Sequence, residues 1–157
     1  MRLTDLLTAD RVAIHHNGGA TPLDKGTLLK SLASMLTQGT TIDETEVERV
    51  LSERERLQST GIGEGVAIPH GALAQLETQY ASLLIVPEGI DFAAIDGLAV
   101  NILFAVIGPK RATGEHLKTL ARVSRLLRNK AFRDRLVSAA DSKAAYSLIA
   151  AEEEERR

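Results

Sequence analysis

Two apolar runs decide how this chain folds: Ala81-Ser-Leu-Leu-Ile-Val86 and Val100-Asn-Ile-Leu-Phe-Ala-Val-Ile107. They are bounded by Pro87, Gly97 and Gly108, and neither alternates polar with apolar side chains. Continuous apolar runs of this length predict strands buried on both faces, which require covering layers above and below. They are also far shorter than the ~20 residues needed to span a bilayer as a helix. Residues 88–97, EGIDFAAIDG, read as a turn-rich connector between them.

Working outward, the covering layers appear as helical periodicities. From Leu23 to Leu36, apolar side chains at Leu28, Leu29, Leu32, Met35 and Leu36 share one helix face, with Thr21 before Pro22 as its cap and Gly39 as its end. A second helix starts after Ile42, with Asp43 as cap and Glu46 three positions on, and runs through Val47, Val50, Leu51 and Arg54 toward Leu57. After Pro109 and Gly114, the residues Leu117, Leu120, Ala121, Ser124 and Leu127 give a third helical face ending around Asn129. Two shorter helices follow. The last starts near Asp141, carries Ala144, Ala145, Leu148 and Ile149, and finishes in EEEERR, which reads as a solvated or frayed end.

Between the second helix and the first apolar run, Gly61, Gly63 and Gly65 interrupt regular structure. Val66, Ala67 and Ile68 lead into Pro69, which holds its predecessor extended, so a short strand is expected to deliver His70 at its end and Gly71 to turn the chain away. Strands interleaved with helices over 157 residues, with no repeat, low-complexity linker or boundary, predict an α/β sandwich of a small sheet between helices, one domain over residues 1–157.

Composition narrows the function. With no Trp, two Tyr and three Phe, the chain lacks the stacking surfaces of single-stranded nucleic-acid binders, and a net charge of −2 supplies no basic field for phosphate backbones or anionic lipid. No nucleic-acid partner and no membrane insertion are expected. There is no cysteine, hence no disulfide framework and no thiolate metal site. The N-terminal MRLTDLLTADR has no apolar core of signal-peptide length, and a cytoplasmic location is expected.

His70 is the first candidate for chemistry. An imidazole is nucleophilic near neutral pH and changes charge there without a large shift, which suits reversible phosphoryl transfer. A lone histidine before a glycine is nevertheless more often structural than catalytic. The glycines at 61, 63 and 65 either aim backbone N–H groups at an anion or merely permit a tight connection, and spacing does not separate the two. The dinucleotide fingerprint fails at Val66, and no GxxxxGK[ST] occurs. His116 falls in the first turn of the third helix, where N–H groups and the helix dipole favour anions; the alternative is a solvent-facing histidine. Arg54, beside Glu55, lies shortly before the glycines and either reaches phosphoryl oxygens or an incoming partner, or belongs to the charged run SERER. His15 and His16 lie in an early strand or turn with no carboxylate or cysteine at ligand spacing.

Arg54-Glu55, STGIGEGVAIPHG at 59–71, GIDFAAIDG at 89–97 and HLKTLARVSRLLRN at 116–129 together resemble the enzyme IIA domains of the bacterial phosphotransferase system, of the fructose/mannitol class and its nitrogen-regulatory branch. The resemblance covers most of the chain. It implies a mixed sheet flanked by helices, a phosphorylated His70, and His116 and Arg54 lining the same site. It further implies a bond to phosphorus at Nε2 with Nδ1 held by a backbone carbonyl, and a small phosphohistidine protein similar to HPr as donor. Thr60 matches the family's hydroxyl before the glycines and is expected to help hold the phosphoryl group. The implied role is a phosphoryl carrier rather than an enzyme with its own small-molecule substrate, needing no metal or other cofactor. Its partners would be regulatory targets such as a transporter or sensor kinase or, in the sugar-transport alternative, a IIB component. Residues 97–101, GLAVN, depart from the polar-proline and acidic residues common in the family there.

Overall fold

The computed structural model of the chain describes residues 2–16 and 24–156. After two short 3-10 turns, Leu3–Asp5 and Ala9–Arg11, the elements are β1 (Val12–Ile14), α1 (Lys25–Thr37), α2 (Glu44–Leu57), β2 (Gly61–Gly63), β3 (Val66–Ala67), β4 (His70–Leu73), β5 (Tyr80–Ile90) and β6 (Val100–Pro109). A third 3-10 turn, Lys110–Ala112, then leads into α3 (Thr113–Leu126), α4 (Lys130–Val137) and α5 (Ser142–Glu155).

The two apolar runs pair antiparallel at the centre of a six-stranded mixed sheet of order β1-β5-β6-β3-β2, with β4 also on β6. Their side chains divide by parity between two cores. Leu83, Ile85, Ile102, Phe104 and Val106 pack with the N-terminal turns and the C-terminal helices, whereas Leu84, Val86, Leu103, Ala105 and Ile107 pack against α1 and α2. Each of these side chains larger than alanine contributes about 1.5–3 kcal/mol on burial. This is the expected α/β sandwich, with helices on both faces of a mixed sheet. No described helix is long and apolar enough to cross a membrane.

The caps agree in part with expectation. At α2 the Asp43 carboxylate accepts from the Thr45 N–H at 2.9 Å, but Glu46 closes no capping box and pairs instead with Arg49. Helix α1 is capped by Asp24, which accepts from the Thr27 N–H at 2.7 Å. The expected cap at Thr21 and Pro22, and the start at Leu23, lie outside the described residues. Gly39, at φ +76°, follows the C-cap Gln38 as expected.

Five expectations need correction. The glycine cluster does not interrupt regular structure: β2 and β3 form an antiparallel hairpin across it. His70 opens a strand rather than ending one, because β3 and β4 lie consecutively along the same edge of β6 with Pro69 at the break. Gly71 is not a turn. It sits in β4 opposite Ile107, and a Cβ there would overlap the side chain of Val50 on α2, so the glycine permits a close helix–strand approach. Finally, α5 is as long as α2 and α3, and its acidic end is partly buried: Glu153 is 8% exposed and accepts from the N–H groups of Leu3 and Thr4. The 88–97 connector also begins later than expected, since β5 continues through an irregularity to Ile90.

Candidate functional site

Pro69 lacks a backbone N–H, but its carbonyl accepts from the N–H of Val106, which pins the chain just before His70 to β6. The next residue therefore starts β4 with its side chain beside the break. There the His70 Nδ1 lies 2.7 Å from the carbonyl oxygen of Ile68. A carbonyl only accepts, so Nδ1 carries the proton and Nε2 carries the lone pair.

His70 faces an open depression of ≈ 390 Å³ whose wall includes Arg54, Thr60, Ile62, Ile95 and Ser124. Three of the four residues singled out in the sequence, His70, Arg54 and Thr60, thus share one cavity. The fourth, His116, stands beside it, its ring centroid 5.8 Å from that of His70 and its plane tilted by 52°. Burial pushes the His70 imidazole below its ordinary pKa. Its bond to Ile68 opposes that shift, the Arg54 charge adds to it, and Glu55 opposes it. Burial likewise lowers His116, with the neighbouring His70 adding to the effect.

His116 is not solvent-facing. It is 8% exposed and points inward from the first turn of α3, and its Nδ1 has no hydrogen-bond partner among the described residues. The core-facing side of α3 is His116, Thr119, Val123 and Leu126, while Leu117 is 60% exposed and Leu120 and Ser124 turn to the His70 depression. Of the face expected from Leu117, Leu120, Ala121, Ser124 and Leu127, the middle three line the His70 depression, Leu127 is buried in the core and Leu117 is exposed, because two polar residues, His116 and Thr119, occupy buried positions instead.

Arg54, in the last turn of α2, donates from Nη1 to the Gln58 carbonyl at 2.8 Å, which orders the segment leading to Thr60. Thr60 is buried, and both its donors are engaged by Glu55: the hydroxyl gives to Oε2 at 2.6 Å and the N–H lies 3.0 Å from the same oxygen. It therefore has no free proton for a phosphoryl oxygen in this arrangement. Glu55 also meets Lys25 Nζ at 2.6 Å. This buried carboxylate was not singled out for a role from sequence, although Val47, Leu51 and Glu55 recur every fourth position and so share the inward face.

The glycines serve the hairpin. Gly63 and Gly65 take φ +99° and +80°, where L side chains are strained, and neither lines the His70 depression. A Cβ on Gly61 would crowd Ala94. The tight-connection reading accounts for all three. At the far edge, His16 Nδ1 lies 2.9 Å from Glu88, a pairing that sequence spacing did not reveal. Among the described residues no cluster of three or more His, Asp or Glu is placed to hold a metal.

Similarities to known proteins fall on the whole of this frame. Residues 7–152 match the family described as phosphoenolpyruvate-dependent sugar phosphotransferase system, EIIA 2. A nitrogen regulatory protein of Bradyrhizobium diazoefficiens is 36% identical over 152 residues, covering 96% of this chain and 95% of that one. Its counterpart in Pseudomonas aeruginosa is 33% identical over 150 residues, covering 95% of each. The crystal structure of nitrogen regulatory protein IIA-Ntr from Neisseria meningitidis superposes with a TM-score of 0.83 at 27% identity, over 94% of this chain and 98% of that one.

Proposed function

The chain belongs to the EIIA 2 family of the phosphoenolpyruvate-dependent sugar phosphotransferase system, and on that basis we propose that it is a phosphohistidine carrier of the nitrogen-regulatory kind. In this reading Nε2 of His70 accepts a phosphoryl group from a small phosphohistidine protein similar to HPr. The observation that carries it is the bond from Nδ1 of His70 to the Ile68 carbonyl, which leaves the lone pair on Nε2 of a residue that lines the open depression. The lowered pKa keeps the ring neutral, hence nucleophilic, at pH 7.

The Nε2 lone pair attacks phosphorus as the donor's nitrogen–phosphorus bond breaks, and the bonding pair returns to the donor imidazole. Charge on the transferring oxygens is met by Arg54, held by its bond to the Gln58 carbonyl, and by an N–H of His116. Thr60 contributes wall and rigidity through Glu55. Phosphorylation then places about two negative charges between the exposed Ile62 and Ile95, which changes which partner surface docks there. Such partners would be regulatory targets, a transporter or a sensor kinase. No metal or nucleotide takes part in this step.

Incubation with enzyme I, an HPr-like donor and labelled phosphoenolpyruvate tests the proposal. An acid-labile label that disappears in His70→Ala supports it, and absence of label on the parent chain refutes it. The family's description names a sugar phosphotransferase system, which supports a second reading in which the phosphoryl group passes to a IIB component. Discharge of the labelled chain by a fructose- or mannitol-type IIB protein, rather than phosphorylation-dependent binding to a regulatory target, would favour that reading.

A further inference from the structure

A second cavity lies away from His70, on the opposite flank of α3. It is a groove of ≈ 650 Å³ bounded by the N-terminal turn, α3 and the end of α5, and none of its lining residues touches the His70 depression. Four guanidinium groups border it, from three separate segments: Arg2, Arg122, Arg125 and Arg156. Its floor includes Leu3 and Leu126, which are 1% and 3% exposed. In a chain with 19 basic and 21 acidic residues, the lining of this one cavity carries four arginines against two carboxylates, Asp5 and Glu153.

The two carboxylates lining the groove are already engaged by backbone. Asp5 accepts from the Arg2 N–H at 2.8 Å, and Glu153 accepts from the N–H groups of Leu3 and Thr4. Arg2 and Arg156 pair with Glu154 and Glu152, at 3.5 and 3.3 Å, from the helix that forms one side of the groove. Arg125 has no ion-pair partner among the described residues. Arg122 and Arg125 are three apart on α3 and both line the groove.

We propose that this groove is a binding site for a small molecule bearing two or more phosphoryl groups, such as a sugar bisphosphate or a nucleoside diphosphate. The volume is that of a small-molecule site. A carboxylate is satisfied by one guanidinium fork, whereas a phosphoryl group offers three oxygens and up to two charges and takes several, which suits arginines arriving from different segments. The site is independent of the role assigned to His70.

The test is titration of the isotopically labelled full chain with sodium pyrophosphate at low salt, followed by amide NMR and by calorimetry. A sugar bisphosphate, a nucleoside diphosphate and succinate serve as further probes. The expected result is saturable binding with shifts at Leu3 and Leu126, weakened about tenfold or more in the exposed double variant R122Q/R125Q, while that variant keeps its circular dichroism and its phosphoryl acceptance at His70. Comparing the two organic probes identifies the source of the phosphoryl groups. Four outcomes would overturn the proposal: no saturable shifts, shifts confined to residues around His70, unchanged affinity in the double variant, or tighter binding of succinate than of pyrophosphate.

Discussion

Glu55→Gln isolates the buried network behind the site. The Glu55 side chain is 4% exposed; it meets Lys25 Nζ at 2.6 Å and takes both the hydroxyl and the N–H of Thr60. The amide keeps the volume and one acceptor oxygen, but sets an NH₂ group against either the lysine or the threonine donors. Two charge-assisted hydrogen bonds are lost, at about 1.5–3 kcal/mol each. Lys25 is 30% exposed and recovers part of its loss in water, so the net expected cost is about 3 kcal/mol. For a chain of this length, each kcal/mol moves the melting temperature by about 2–4 °C, giving a fall of about 6–12 °C. Calorimetry and urea unfolding measure it, with an unchanged denaturant slope showing that the unfolded state is unaltered. Made in a Thr60→Val background, the same substitution should cost about 1 kcal/mol less, since one partner is already gone. A cost below about 1 kcal/mol in the parent chain would refute the reasoning.

Three further outcomes follow from named contacts. Because burial lowers both His70 and His116, the unfolded chain takes up their protons first as pH falls through ~6.5; their contribution to stability is complete above that pH and lost below it. NMR titration should therefore place both midpoints below ~6.5, and Arg54→Gln should move that of His70 upward by removing a repelling charge; a downward move contradicts the assignment. Gly71→Ala should destabilise by about 1–3 kcal/mol through overlap with Val50, and Val50→Ala should restore part of the loss; additive costs would show that the close approach is not the cause.

The sheet was legible because its two central strands are apolar on both faces, and α1 and α2 because Leu28, Leu32, Val47 and Leu51 keep strict helical spacing. What escaped were elements whose reason lies in distant residues. His70-Gly-Ala-Leu73 carries almost no strand signal, and only pairing with β6 makes it a strand. The core face of α3 was hidden because His116 and Thr119 are polar, and it is burial against the sheet that decides their orientation. Glu153 looked like part of a solvated tail, yet the N–H groups that hold it belong to Leu3 and Thr4, about 150 positions away. His70, Arg54 and His116 were singled out by their company in a motif, and the fold brings them close together. The Lys25–Glu55–Thr60 network was not, since its lysine comes from another helix.

The central claim is that His70 presents Nε2, with Nδ1 committed to the Ile68 carbonyl. The most direct test is to phosphorylate the ¹⁵N-labelled chain with enzyme I, an HPr-like donor and phosphoenolpyruvate, and to identify the modified atom by long-range ¹H–¹⁵N and ³¹P NMR. The account predicts one phosphoryl group, on Nε2 of His70, with Nδ1 still protonated. A phosphoryl group on Nδ1, on His116, or retained in His70→Ala would contradict it.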